Sequence, residues 1–222
     1  MKKKLIIVGT GRFPEAARCY FDELSDYEVK AFSCHQKYKN SDSIYGLPLV
    51  SIENLSETFS KNDYEIFVAV GYHKMNRTRE AIYKEIKSLG YKLASFCHPD
   101  VHIWDNIKIG ENTFIFEDNT IQPFVEIDDN TILWSGNHIG HHSKIGKNCF
   151  ISSHVVISGS CRIGNNVFMG VNSTLHDSIE VGKYVLIGAG AIVSKNIDDK
   201  VVLSPKRTEV FHKDSDEIGF NW

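Results

Sequence analysis

The 222-residue sequence is poor in the residues that mark disulfide scaffolds, collagen-like chains and membrane spans. It has five prolines and no run of about 18 apolar residues, so no membrane-spanning helix is expected. Its net charge of −3 argues against a general nucleic-acid or membrane-surface binder. Its cysteines are odd in number, widely spaced and free of CxxC, which favours reduced thiols: Cys19, Cys34, Cys97, Cys149 and Cys161.

The first residues, MKKKLIIVGTGR, place lysines before an apolar run, as a signal peptide does. The apolar run covers only residues 5–8 and ends in Gly-Thr-Gly. This run is too short for an export signal and fits a first buried strand. We therefore expect a cytoplasmic protein without a cleaved leader.

Residues 1–97 alternate strand and helix patterns. The segments KLIIVGTG, YEVKAFS, YEIFVAVG and YKLASFCH are predicted strands. Between them, FPEAARCYFDELSD, ENLSETFS and NRTREAIYKEIKSLG are predicted helices. Such alternation predicts a parallel sheet covered on both faces, an α/β domain of Rossmann-like type.

Residues 98–193 follow a six-residue period. Cut into sixteen hexads from His98, every hexad ends in Ile, Val, Leu or Met. The position two before that residue is usually small or β-branched, and includes Cys149 and Cys161. A period of six fits neither a helix nor a single strand, and it predicts a parallel β-helix of short strands and tight corners.

Three hexads make one triangular coil, so residues eighteen apart are expected to stack. The repeat gives about 5.3 coils and a prism roughly 25 Å tall. One predicted column is made of corner asparagines, which tolerate a left-handed backbone: Asn112, Asn130, Asn148 and Asn166. A second column is large and apolar: Phe114, Ile132, Phe150, Phe168 and Leu186.

A glycine-turn α/β domain followed by HHSKIGKNCFISSHVVISGSCRIGNNVFMGVNS resembles the bacterial nucleotide-sugar acetyltransferases. That group includes sialic acid O-acetyltransferase-like enzymes and N-acetyltransferases of amino sugars linked to UDP, dTDP or GDP. The resemblance implies a left-handed β-helix at residues 98–197 and a tail at 198–222. It also implies a homotrimer, with acetyl-CoA in the grooves between prisms and the nucleotide near the first glycine turn.

The segment WSGNHIGHHSKIG holds three histidines: His138, His141 and His142. No acidic residue lies between Asp129 and Lys144, and no zinc spacing occurs, so no metal site is expected. From spacing alone, exposed corner histidines remain an equal interpretation. The resemblance places the general base four residues before Ile-Gly, at His141, and an amide donor for the oxyanion at Gly159. His142 is a second catalytic candidate, and either His142 or His138 stays open as the alternative base.

This chain departs from the resemblance beside its predicted base. Many relatives carry an acidic residue there, whereas this sequence has His142. The group that orients His141 is therefore open at this point. Acidic residues of the preceding coil are candidates, within the chain or across a trimer interface: Glu126, Asp128 and Asp129.

Two strand ends are candidates for contacting the sugar nucleotide. The turn VGTGRFPEAA places Gly9, Gly11 and Arg12 before a helix, where backbone amides and the helix N-terminus suit a diphosphate. It lacks the third glycine of GxGxxG, and AFSCHQ replaces the acidic ribose reader, which argues against a dinucleotide cofactor. The second candidate is VGYHKMNR, which supplies Tyr72, His73 and Lys74 or is simply a solvated loop.

Small residues toward the C-terminus are candidates for contacting coenzyme A. Gly170, Gly188 and Ala189 would let a pantetheine arm lie along the prism, although small residues are also ordinary at corners. Lys206 and Arg207 would meet its phosphates, in a segment that lacks the Gly-x-Pro-Ala of relatives.

Three functions are compatible with the sequence. The first is acetyl-CoA-dependent N-acetylation of a nucleotide-linked 4-amino-dideoxy sugar for surface polysaccharide biosynthesis. The second is O-acetylation of a sugar hydroxyl, and the third is a non-catalytic β-helix scaffold. The separate nucleotide-sugar domain favours the first.

Overall fold

The computed structural model describes residues 2–206 and 208–217. Its N-terminal domain contains six strands and three α-helices. In chain order they are β1 (Lys3–Val8), α1 (Arg12–Leu24), β2 (Tyr27–Cys34), β3 (Ser43–Ile44), β4 (Leu47–Ser51), α2 (Leu55–Thr58), β5 (Tyr64–Val68), α3 (Arg77–Ser88) and β6 (Lys92–Leu93). Short 3₁₀ turns lie at Gln36–Tyr38, Ile52–Asn54 and Ser215–Glu217.

The N-terminal sheet has the strand order β3-β4-β2-β1-β5-β6 and is parallel except at the β3–β4 hairpin. Side chains of β1 alternate between its two faces, as the pleat requires. Leu5 and Ile7 pack with Phe21 of α1, whereas Ile6 and Val8 pack with Ile86 of α3. This confirms the prediction of a sheet covered on both sides.

Two details of this domain differ from the sequence prediction. The β3–β4 hairpin was not predicted, because its strands are short and carry a proline at an edge. The predicted strand YKLASFCH is divided in two: β6 pairs with β5, whereas Phe96–Cys97 pairs with Phe114–Ile115 of the β-helix. Residues 94 and 95 separate the two halves, so one apolar run serves both domains.

The C-terminal domain is a left-handed parallel β-helix with three sheets, named here face one, face two and face three. Face one comprises Thr120–Ile121, His138–Ile139, Val156–Ile157, Thr174–Leu175 and Ile192–Val193. Face two comprises Lys108–Ile109, Glu126–Ile127, Lys144–Ile145, Arg162–Ile163 and Glu180–Val181. Face three comprises Phe96–Cys97, Phe114–Ile115, Ile132–Leu133, Phe150–Ile151, Phe168–Met169, Leu186–Ile187 and Val202–Leu203.

The six-residue period gives the prism its core. Strand partners lie eighteen residues apart through most of the prism, for example Ile127 with Ile145. Fourteen of the sixteen hexad-ending aliphatic residues are buried in one cluster, together with Cys149 and Cys161. The two exceptions, Ile103 and Ile109, are exposed in the first coil, which has no coil before it.

The asparagine column forms as predicted. Asn112, Asn130, Asn148 and Asn166 all have φ between 52° and 61°. The side-chain amides of Asn112, Asn130 and Asn148 each donate to Oδ1 of the next asparagine, over 2.8, 2.8 and 3.3 Å. That of Asn166 donates to Oε2 of Glu80. The buried side chains thus satisfy one another while the backbone turns the corner.

The apolar column on the outside of face three is where the N-terminal domain docks. Phe114, Ile132 and Phe150 are buried with residues of β1, α1 and β5 in one cluster. Phe13 of α1 lies edge-on to Phe114, with 5.7 Å between ring centroids. Large apolar residues point outward here because a second domain covers them.

Arg79 of α3 joins the two domains and is fully buried. Its guanidinium donates to carbonyl oxygens of the prism, at Asn130, Asn148 and Cys149, over 2.9–3.2 Å. It also donates to the carbonyl oxygens of Val70 and Gly71. Burial lowers the pKa of Arg79 to about 9, so the side chain remains charged at neutral pH.

The docking leaves one edge of the prism uncovered by its own N-terminal domain. That domain contacts face three and the corners on both sides of it, through pairs such as Tyr20 with Glu117 and Tyr83 with Glu111. The opposite corner joins face one to face two. We call this corner, formed by residues 122–125, 140–143, 158–161 and 176–179, the free edge.

Candidate active site at the free edge

His141 and His142 lie next to each other on the free edge and both are exposed. Their Nδ1 atoms are 3.2 Å apart, within hydrogen-bond distance. The backbone amide of His141 donates to Oε1 of Gln122, and that of His142 donates to the carbonyl oxygen of Pro123. The His142 ring lies 4.6 Å from the ring of Phe124. The backbone of both residues is thus bonded to the preceding coil, and the His142 ring also contacts that coil through Phe124.

Gly159 lies against the other side of the His141 ring. A methyl group on Gly159 would stand 2.8 Å from Cε1 and 2.9 Å from Nε2 of His141, so a larger residue would displace the ring. The Gly159 amide donates to Oδ1 of Asp177 over 2.8 Å. The predicted oxyanion donor therefore already has a partner, which the sequence analysis missed.

The acidic residues of the preceding coil do not orient His141 within the chain. Glu126 is paired with Lys108 and Lys144, and Asp129 is paired with Lys147. Both carboxyl pKa values lie below their ordinary range; for Glu126 the main cause is the hydrogen bond from Lys144. Asp128 is exposed on the same coil. The partner of His141 is instead His142.

His138 is separate from this pair. It is half-buried on the outer surface of face one, in strand register with Thr120 and Val156. Among the described residues, the His138 ring has no hydrogen-bond partner on the free edge. Of the three histidines, the structure brings together only His141 and His142.

A cavity of about 380 Å³ lies at the carboxyl ends of β1, β2 and β5. Gly9, Gly11 and Arg12 line it, as predicted from the glycine turn. The remaining lining residues come from the ends of β1 and β2, from α1 and α3, and from neighbouring turns and loops: Val8, Thr10, Phe13, Pro14, Cys34, His35, Tyr38, Ile52, Ala69, Val70, Gly71, Thr78 and Ile82. Ligands of open α/β sheets bind at this edge, so the position suits a nucleotide.

The three candidates from VGYHKMNR do not lie together. Tyr72 packs on the outer rings of face three, 5.0 Å from Phe150, and does not line the cavity. His73 contacts Thr78 through Nδ1. Lys74 lines an adjoining cavity of about 330 Å³ that shares His35 and Tyr38 with the first.

His35 and Tyr38 line the cavity, although the sequence analysis did not propose them as nucleotide contacts. His35 follows β2 and its Nε2 lies 2.8 Å from Oε2 of Glu85 on α3. The signal was present, because His35 belongs to AFSCHQ, the segment that stands where an acidic ribose reader was expected.

Gly9 and Gly11 make a matched pair for testing this turn. Gly9 has a φ of 136°, and a Cβ there would meet the Ala69 carbonyl oxygen and Pro14 Cγ, each at 2.7 Å. A Cβ on Gly11 would meet nothing within 4 Å. We expect Gly9→Ala to lower the free energy of unfolding by about 1–3 kcal/mol. Gly11→Ala should change it by less than about 0.5 kcal/mol, as measured by urea denaturation; equal losses would contradict the close approach at Gly9.

Of the five C-terminal candidates, two glycines have a clear structural role. Gly170 and Gly188 are required by coil stacking, because Cβ atoms there would lie 2.4 Å from the Ala189 nitrogen and 2.8 Å from the Leu203 carbonyl oxygen. Ala189 and Lys206 are exposed. Arg207 lies outside the described residues. A groove of about 560 Å³ lies beside them, lined by Gly190, Ala191, Ile192, Val202, Leu203, Ser204 and Pro205.

Other features of the described chain bear on the sequence analysis. All five cysteines are free, and burial raises the pKa of Cys149 to about 12. Over residues 2–206 and 208–217, no group of three His, Cys, Asp or Glu side chains has the arrangement of a metal site. In the same residues no helix has the length and apolarity needed to cross a bilayer.

Two family models match the repeat region. One, the bacterial transferase hexapeptide (six repeats), covers residues 124–159, and the other, the hexapeptide repeat of succinyl-transferase, covers residues 161–195. The first match contains the His141–His142 pair. A search of curated protein sequences found no match.

Solved structures resemble the chain over both domains. The acetyltransferase domain of PglB from Neisseria gonorrhoeae is 25% identical with a TM-score of 0.80, over 90% of this chain and 96% of that one. The same domain with acetyl coenzyme A is 23% identical with a TM-score of 0.64, over 91% and 96%. PerB from Caulobacter crescentus, solved with CoA and GDP-perosamine, is 20% identical with a TM-score of 0.80, over 90% and 92%.

The repeat matches fall on the three-sided prism, and the structural likeness extends through the α/β domain that carries the cavity at the glycine turn. Neither feature alone would separate this chain from other hexapeptide-repeat proteins. Together they show a hexapeptide-repeat acyltransferase fold, a β-helix of hexapeptide repeats joined to an α/β domain, with the two-domain architecture seen in the acetyltransferase domain of PglB.

Proposed function

We propose that this protein is an acetyl-CoA-dependent N-acetyltransferase of a nucleotide-linked amino sugar, with His141 as general base. The observation that carries the proposal is the free edge itself. There an exposed imidazole rests on Gly159, while its Nδ1 is within hydrogen-bond distance of a neighbouring ring. The same chain has a nucleotide-sized cavity at the glycine turn. The likeness to acetyltransferases solved with acetyl coenzyme A or GDP-perosamine supports this substrate pair.

The proposed reaction needs one proton to be moved. His141 Nε2 takes the proton from the amine as its nitrogen bonds to the acyl carbon. The carbon–sulfur bond then breaks, and the imidazolium returns the proton to the departing thiolate. A histidine suits this task because its ordinary pKa is near neutrality. The thiol, with a pKa of about 8.5, is a good leaving group and needs less help.

Acetyl-CoA would supply the activated acyl group, and face one offers a surface for it. The open groove at Gly190–Pro205 exposes Ile192 and Val202, with 71% and 64% of their surface accessible. From Ile192 the outer column of face one runs through Thr174 and Val156 to His138, beside the free edge. Lys206 lies next to the groove in sequence and would meet phosphates. We keep Arg207 as a proposed second phosphate contact.

The geometry also supports a homotrimer. His141 lies on the edge opposite face three, whereas the cavity belongs to the domain that covers face three. The prism therefore separates the two sites within one chain. A neighbouring subunit that brings its own α/β domain to the free edge would complete the site, and the resemblance implies three subunits arranged in that way.

The amide of Gly159, the predicted oxyanion donor, already has a hydrogen-bond partner in this chain. The Gly159 amide would have to share its proton between Asp177 and the developing oxyanion. We retain Gly159 in that role because it is buried directly beside Nε2 of His141. Its position is the same whether the acceptor is an amine or a hydroxyl.

The test is to incubate the protein with acetyl-CoA and a panel of nucleotide-linked amino sugars, and to follow thiol release. Turnover confined to amino sugars supports the proposal, and the favoured member identifies the nucleotide. Turnover only with sugars that lack the amine would replace it with O-acetylation. If the protein binds CoA and the sugar nucleotide but releases no thiol, a binding scaffold becomes the better explanation.

A further inference from the structure

We propose that His142 is the positioning residue that sets the tautomer of His141, in place of the carboxylate expected at that position. This inference rests on the proposed role of His141 and adds to it. The evidence is the 3.2 Å separation of the two Nδ1 atoms, which places one proton between two ring nitrogens. Only one of the rings can donate that proton, and the choice decides whether His141 is a base.

Consider the two ways of placing the shared proton. When His141 carries it, His142 accepts through its Nδ1 lone pair, and Nε2 of His141 is left unprotonated beside Gly159. When His142 carries it, His141 accepts at Nδ1 and its neutral form bears its own proton on Nε2. Only the first arrangement gives a base on the face that Gly159 lines. His142 must therefore be a neutral acceptor, protonated on Nε2.

The surroundings hold His142 in a fixed place for this role. Its backbone is left-handed, with a φ of 59°, and its ring lies 4.6 Å from Phe124. Its amide is tied to the Pro123 carbonyl oxygen. The His142 ring is tilted by 31° to that of Phe124, and its Nδ1 faces Nδ1 of His141.

No other titratable group in the described contacts competes for the pair. Gln122 and Phe124, on the preceding coil, do not titrate. On the following coils the carboxylate that approaches is Asp177, which accepts from the Gly159 amide. On face two, Glu126 is paired with Lys144.

A neutral partner has a consequence that a carboxylate does not. A carboxylate stabilises the imidazolium of its histidine and raises the pKa of that ring. A neutral imidazole does this much less, and a second proton on the pair would put two positive charges side by side. The acid limb of kcat/KM should therefore lie at lower pH in this protein than in a variant that carries an acidic residue at position 142.

The experiment compares three variants at His142 with the native chain. His142→Phe keeps a ring against Phe124 and removes the acceptor; kcat should fall about 10- to 100-fold with KM little changed. His142→Asn tolerates the left-handed backbone and restores an acceptor oxygen, so it should recover part of that loss. His142→Glu should move the acid limb of kcat/KM up by about one pH unit.

His154 provides the matched control. It is an exposed histidine with a φ of 58°, on a corner away from the free edge. His154→Phe and His154→Glu carry the same backbone strain and should leave kcat and the pH profile unchanged. Thermal midpoints of both sets report any loss of folding. An unshifted acid limb in a folded His142→Glu protein would overturn the proposal.

A direct measurement of the His141 tautomer tests this inference independently of the proposed function. Nitrogen-15 NMR of the imidazoles in the substrate-free protein should show His141 protonated on Nδ1 and unprotonated on Nε2 near neutral pH. In His142→Phe that preference should be lost. If His141 in the native protein is protonated on Nε2, the inference fails, whatever the acceptor proves to be. If no amino sugar is acetylated but the tautomer is as expected, the proposed function fails alone.

Discussion

His141→Ala is expected to lower kcat for acetyl transfer by about 10²- to 10⁴-fold, the usual contribution of a positioned general base. The substitution removes the nitrogen that lies beside Gly159 and leaves the rest of the free edge in place. Because the base acts on the proton only as the new bond forms, KM for either substrate should change little. The measurement is steady-state thiol release with the preferred amino sugar at saturating and limiting concentrations.

Gly159→Ala provides a second variant that keeps the imidazole. A Cβ there would lie 2.9 Å from Nε2 of His141, so the exposed ring must move while the fold is retained. A displacement of about 1 Å costs on the order of 10²-fold in rate. His154→Ala is the control for the loss of an exposed histidine. If His141→Ala retains native turnover, His141 is not the base and the free edge is not the reaction centre.

Arg79→Met is expected to lower the free energy of unfolding by about 3–5 kcal/mol, since it removes one side of a buried polar contact. The methionine keeps much of the side-chain volume. The carbonyl oxygens of Asn130 and Asn148, two prism corners, would then lose the donor that the structure gives them. Removing the cost of burying the charge offsets part of this loss, which is why the estimate is below the sum of the six hydrogen bonds that Arg79 donates, the sixth being to Oδ1 of Asn76.

Urea denaturation followed by tryptophan and tyrosine fluorescence measures this effect. Because Arg79 joins α3 to the prism, we also expect the transition to broaden or divide as the domains uncouple. Arg79→Lys should lose less, since an ammonium still donates to some of the carbonyls. Arg162→Met, at an exposed position on face two, is the control. A loss below about 1 kcal/mol in Arg79→Met would show that docking depends on the aromatic contacts alone.

The sequence predicted the prism in detail because its pattern is local and repeated. A hexad that ends in an aliphatic residue specifies one strand and one corner, and stacking at eighteen residues follows from three sides. The asparagine column and the buried positions of Cys149 and Cys161 were confirmed for that reason. The division of YKLASFCH between the two domains was not predicted, because the apolar pattern of a strand does not indicate which sheet the strand joins.

The candidate site was predictable only in its residue types. His141 follows from a motif, whereas the engagement of the Gly159 amide with Asp177 depends on side-chain positions one coil away. Arg79 gave no signal, because its partners are backbone carbonyls that every residue possesses. The outward phenylalanines of face three were visible as a column, but the column alone did not reveal that a domain covers them.

The six-residue period alone predicts the three-sided coil of residues 98–193, because each short strand is specified by its neighbours along the chain. The placement of the α/β domain on face three depends on long-range packing around Phe114 and Arg79, which no local pattern encodes. That placement leaves the free edge open and puts the cavity at the glycine turn on the far side of the prism from His141. Docking of the domains, which the repeat pattern does not specify, therefore decides where a bound nucleotide and the imidazole pair can meet.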